Sequence, residues 1–75
     1  MEAKVREIVA RIAKSDEPES LPIDGDLFRD IGVKSAAALD LLLSLEEEFD
    51  CQISDDSFAD ARTIRALVEL VGTLQ

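Results

Sequence analysis

Seventy-five residues leave room for one domain around one small core, because a short chain buries a smaller share of its surface than a long one. Eight bases against 17 acids give a formal charge of −9. That charge repels phosphate backbones and anionic head groups, so it argues against nucleic acid and membrane surfaces as partners and favours a basic protein surface. With no histidine and Cys51 as the single cysteine, the chain has no disulfide framework, no usual zinc ligand set and no Ser/His or Cys/His nucleophile pair. A non-catalytic protein is expected.

In chain order, Val5, Ile8, Val9 and Ile12 recur at three and four residues, with Lys4, Arg6, Glu7 and Arg11 between them. That period predicts an amphipathic helix from about Glu2 to Lys14. Ser15 to Gly25 contains Pro18, Pro22 and several acids and serines, which reads as a long loop, and a loop of that length in a small domain is often functional. Leu27, Phe28 and Ile31 break its polarity and are expected to pin it to the core as a short turn, after which Gly32 lets the backbone swing into the next helix.

From Ser35 to about Asp50, Ala38, Leu41, Leu42, Leu45 and Phe49 form one apolar stripe flanked by Leu39 and Leu43, with Asp40, Ser44, Glu47 and Glu48 toward solvent. Cys51-Gln52-Ile53 ends this second helix. Ser54 is placed to cap a short third helix opened by Asp55 and Asp56, with Phe58 as its core anchor. Thr63 is placed to cap the last helix, where Ile64, Leu67, Val68, Val71 and Leu74 keep helical spacing. The expectation is all-α: a small four-helix bundle of three longer helices and a short third one, in a single domain over residues 1–75. No run approaches the roughly 20 apolar residues of a membrane span, the start lacks a signal-peptide layout and the single cysteine is compatible with a reducing compartment, so a cytoplasmic location is expected. A monomer is expected as well.

Two features bear on function. Ser35 follows the turn Gly32-Val33-Lys34 and opens the second helix, where it can be a helix cap or an attachment point. The stretch from Ala36 to Ala61 holds eight acids (Asp40, Glu46, Glu47, Glu48, Asp50, Asp55, Asp56 and Asp60) and no base. This is either a solvated face or a docking surface.

The run Asp26-Leu27-Phe28-Arg29-Asp30-Ile31-Gly32-Val33-Lys34-Ser35, followed by Leu39-Asp40-Leu41 and Leu45-Glu46-Glu47-Glu48-Phe49, resembles the heart of the acyl carrier protein family. The resemblance extends over nearly the whole chain. It implies a bundle of acyl-carrier type in which Ser35 accepts 4′-phosphopantetheine from coenzyme A through a separate phosphopantetheinyl transferase, giving a thiol that carries acyl groups as thioesters for fatty acid, polyketide or related biosynthesis. It also implies that Asp40, Glu46, Glu47 and Glu48 dock on basic patches of the transferase and of acyl-loading and acyl-processing enzymes. No metal is implied. Three positions depart from the family pattern: Lys34 for the usual aspartate, Ala36 for leucine, and Ala37 where an acid is common. A specialised member with its own transferase or acyl partner fits these departures. So does a carrier-fold interaction module without the arm, and peptidyl and D-alanyl carriers share the fold and the arm.

The remaining polar candidates read as structural. Cys51 falls where the family has an apolar residue and is expected to behave as a small hydrophobe. Asp24, Asp26 and Asp30 have the spacing of a calcium loop, but Ser35 stands at its twelfth position in place of glutamate.

Overall fold

The computed structural model describes residues 1–75. It consists of α1 (Glu2–Ala13), α2 (Ala38–Phe49), the short α3 (Asp55–Asp60) and α4 (Ile64–Leu74), with a long structured segment between α1 and α2. No helix is long and apolar enough to cross a membrane.

The expected stripes form the core. Val5, Ile8 and Val9 of α1, Leu41, Leu42 and Leu45 of α2, and Ile64, Leu67 and Val71 of α4 are all buried. Each helix thus spends one face on a common interior, which is where most of its stability arises. Ile53 and Ala61, on either side of α3, close that interior, while Phe58 packs against it half-buried rather than inside it. Leu74, expected in the stripe of α4, is 43% exposed at the end of the last turn.

Local chemistry sets most of the helix ends. The Ser54 hydroxyl accepts the Ser57 amide at 3.1 Å, and the Thr63 hydroxyl accepts the Ala66 amide at 3.0 Å, as N-cap side chains do. Helix α1 ends at Lys14 in the left-handed region (φ 60°), where the Ser15 amide donates back to the Ala10 carbonyl at 2.8 Å. Helix α2 ends the same way at Asp50 (φ 49°).

The segment between α1 and α2 is held more firmly than its composition suggests. Arg6, whose side chain is only 15% exposed, donates from Nη1 to the carbonyls of Pro18 (3.1 Å) and Leu21 (2.6 Å), and from Nε to Glu2 Oε2 (2.8 Å). Further along, Asp26 caps a wide turn at Leu27–Ile31 by accepting the amides of Phe28 (3.0 Å) and Arg29 (2.8 Å). Asp30 answers by accepting the Asp26 amide at 2.8 Å. Leu27, the first residue of this turn, is fully buried, and Gly32, at φ 100°, takes a conformation that a side chain would strain.

Two arginines from the start of α4 lock the turn in place. Arg62 makes a two-pronged contact to Asp26 (2.7 and 3.2 Å), and Arg65 does the same to Asp24 (2.7 and 3.1 Å). Backbone bonds run alongside, from Leu27 N–H to the Arg62 carbonyl (2.8 Å) and from Arg65 N–H to the Ile23 carbonyl (3.1 Å). Arg62 also lies 5.1 Å over the Phe28 ring. The carboxylates with calcium-like spacing are therefore partners of arginines and amides.

Asp26 gives this clasp a pH dependence. The Arg62 guanidinium, then the Arg29 amide, hold its carboxyl down from an ordinary 3.8 to about 2. A depressed carboxyl contributes stability that is complete above the unfolded value and is lost as pH falls through the folded one. Wild type is therefore expected to lose stability progressively below pH 3.8. Asp26→Asn is expected to be less stable at neutral pH and to show a flatter curve across that window, measured by urea unfolding at a series of pH values. Equal slopes for the two proteins would contradict the assignment.

Candidate functional site

Between the clasped turn and α2, the chain runs through Val33 and Lys34 into a 3-10 turn at Ser35–Ala37 that feeds directly into α2. Val33 before it and Leu41 after it are buried, so the exposed stretch from Lys34 to Ala36 is suspended between two core anchors. The helix expected from Ser35 thus has a tighter first turn, and α-type bonding begins at Ala38.

Ser35 is not a cap. It is the first residue inside the 3-10 turn, and the N-cap position belongs to Lys34, whose backbone is extended (φ −81°, ψ 146°). A capping hydroxyl must sit on the residue that precedes the helix in order to fold back onto its free amides. Ser35 has already joined the helix, and no side chain caps this turn or α2. The Ala37 amide donates to the Lys34 carbonyl at 2.8 Å, while those of Ser35 and Ala36 meet no acceptor within the chain.

The Ser35 hydroxyl is consequently free, and among the serines that is unusual. Ser15 accepts the Glu17 amide, Ser20 donates to Glu17, Ser44 accepts from Arg11, and Ser54 caps α3. Only Ser57 shares the lack of a side-chain bond, and it lies within α3. Ser35 is thus the one hydroxyl that is exposed, uncommitted and placed at the start of a long helix, beside unclaimed amides that favour an anion. Its surroundings suit a phosphate-linked group.

The acids of α2 divide into two kinds. Asp40, Glu47 and Glu48 are exposed, whereas Glu46 is half-buried and its Oε2 accepts the Ile53 amide at 2.9 Å. Glu46 therefore fastens the α2–α3 connection and presents less free charge than its neighbours. Arg11 of α1, which donates to Ser44 Oγ at 3.1 Å, borders the same groove as Glu47 and Glu48. A face without a base in sequence has one at its edge in space. Leu39 and Leu43 stand 62% and 47% exposed on α2 between these acids.

Cys51 is half-buried beside Ile53. Burial first, then the carboxylates of Glu46 and Asp50, push its thiol up, which favours the unreactive protonated form. It fits a structural role.

A family model described as the phosphopantetheine attachment site matches residues 3–71. The acyl carrier protein of Desulforapulum autotrophicum is 32% identical over 71 residues, which is 95% of this chain and 92% of that protein. The acyl carrier protein of Trieres chinensis is 29% identical over 55 residues, covering 73% of this chain and 69% of that one. With a free serine at the head of its second helix, a helical bundle around it and a match over nearly its full length, the chain belongs to the phosphopantetheine-binding acyl carrier protein family.

Proposed function

We infer that Ser35 is the residue that bears 4′-phosphopantetheine, and that residues 1–75 act as one non-catalytic carrier domain, a monomer of the cytoplasm. The observation that carries this reading is the free Ser35 hydroxyl: five of the chain's six serines are either committed to other bonds or set within α3. In the transfer, Ser35 Oγ attacks the pantetheine-side phosphorus of coenzyme A. The Oγ–P bond forms, the anhydride P–O bond breaks, adenosine 3′,5′-bisphosphate leaves, and the serine proton passes to a base of the transferase. Once attached, the group supplies a flexible arm ending in a thiol that holds acyl groups as thioesters. The chain itself contributes the accessible oxygen, the helix start that tolerates an anion, and the surface that partners meet.

Mass spectrometry after incubation with coenzyme A and a broad-specificity transferase tests this. One phosphopantetheinyl group, mapped to a peptide containing Ser35, is expected. A chain that gains none, and carries none when isolated, is an interaction module instead.

Asp40, Glu47 and Glu48 form the docking edge in this reading, with Glu46 contributing from its half-buried position. Exposed charges act mainly on the encounter rate. Glu47→Lys with Glu48→Lys is expected to slow association with a basic transferase about ten-fold at low salt. The difference should close as salt rises. Stopped-flow measurements that give equal rates for both proteins at low salt would remove these two residues from the edge.

A further inference from the structure

Five of the eight bases are paired with carboxylates: Lys4 with Glu7, Arg6 with Glu2, Arg29 with Asp30, Arg62 with Asp26 and Arg65 with Asp24. Arg11 has Ser44. Lys14 and Lys34 remain without a side-chain partner. Lys14 follows the C-terminal end of α1, where a cation complements the helix dipole. Lys34 stands at the opposite kind of end. It occupies the N-cap of the turn that opens α2, where aspartate, asparagine, serine or threonine would accept amides and where a positive charge opposes the dipole.

The contrast within the chain is direct. At the starts of the 27–31 turn, of α3 and of α4, the side chains of Asp26, Ser54 and Thr63 each accept backbone amides. Of these four starts only the one beside Ser35 carries a cation, and no carboxylate pairs with it. The nearest acid before it in sequence, Asp30, already accepts the Asp26 amide. A residue that breaks a local rule without a structural gain points to a role outside the bare fold.

We propose that Lys34 is the counter-ion of the phosphodiester on Ser35, so that the cation which weakens the helix start in the unmodified chain steadies it in the modified one. This rests on Ser35 being the attachment residue. Consecutive Cα atoms lie about 3.8 Å apart, and the lysine stem is long and flexible, so its ammonium can reach an anion on the next residue. In a chain of charge −9, a further anion meets general repulsion, and Lys34 adds a full positive charge to the partial one of the unclaimed amides. Lys34 acts here as a positioning residue. It holds the first atoms of the arm against the helix start.

The experiment compares the unmodified and modified forms of wild type, Lys34→Gln, Lys34→Arg and Lys14→Gln, after mass spectrometry has shown the arm on Ser35. The prediction is a change of sign. Lys34→Gln should raise the midpoint of thermal unfolding of the unmodified chain by about 2–4 °C and lower that of the modified chain by a similar amount. Lys34→Arg should behave as wild type in both forms, and Lys14→Gln should shift both forms equally. In salt of about 1 M the difference between the two forms should collapse. The phosphorus NMR resonance of the phosphodiester gives a local readout, expected to move with Lys34→Gln and to stay with Lys14→Gln. If Lys34→Gln shifts both forms alike and leaves that resonance in place, the counter-ion role is wrong while Ser35 stands. If no arm is found on Ser35, both fall together.

Discussion

Ser35→Ala is expected to abolish attachment of phosphopantetheine completely while leaving the helices folded. The first half follows from chemistry, since alanine offers no oxygen to phosphorus, the hydroxyls of Ser44, Ser54 and Thr63 are occupied by Arg11 and by backbone amides, and Ser57 lies within α3. The second half follows from the position of Ser35 inside the turn. A true capping serine would cost about 1 kcal/mol on replacement by alanine. A hydroxyl without a partner, on an exposed residue, should stay within about 0.5 kcal/mol of wild type. The pair of measurements is the mass after treatment with coenzyme A and transferase, and the midpoint of urea unfolding. A variant that still gains the group would move the site to another residue. A variant that loses stability by the larger amount would return Ser35 to a capping role.

Leu45→Ala should have the largest effect on stability. Leu45 is fully buried in the middle of α2, among side chains contributed by α1, α2 and α4. Truncating such a leucine removes apolar burial and leaves a cavity, together costing about 2–5 kcal/mol. A domain of this size has roughly 4–11 kcal/mol in total, so the variant is expected to melt at least about 10 °C below wild type. Two positions earlier, Leu43 is 47% exposed on the same helix. Leu43→Ala should remain within about 1 kcal/mol of wild type. Thermal unfolding of the two variants together separates packing from helix propensity, because the chemical change is identical. A similar loss from both would mean that α2 is buried on a different face.

The helices were legible because their signals are local. The three-and-four spacing of Val5, Ile8 and Val9, and of Leu41, Leu42 and Leu45, identifies the buried faces. Ser54 and Thr63 read correctly as caps because a cap is decided within four residues. By sequence Ser35 is open to two readings, cap or attachment point; the backbone is already in a 3-10 turn at Ser35, which hands the N-cap to Lys34 and removes the first of them. The two arginine clasps were out of reach, joining residues 36 and 41 positions apart. Arg62 and Arg65 look in sequence like any exposed bases around the start of a helix. Glu46 is similar: one of three consecutive glutamates by sequence, it alone turns inward to the Ile53 amide. Which exposed charges find each other depends on packing that no short window contains.

The Arg6 clasp determines where this chain can be lengthened. Surface loops are ordinarily the places that accept inserted sequence, and the stretch from Ser15 to Gly25, with its two prolines, would be the first choice for a grafted tag. Its carbonyls at Pro18 and Leu21 are held by a side chain of α1, and its far end, at the Ile23 carbonyl, by the Arg65 amide at the start of α4. An insert between those points would release the loop from two helices at once. Asp16, exposed and ahead of the first clasp, is the better point of entry. The connection behaves as a brace between α1 and the platform that presents Ser35, and it has little slack to give.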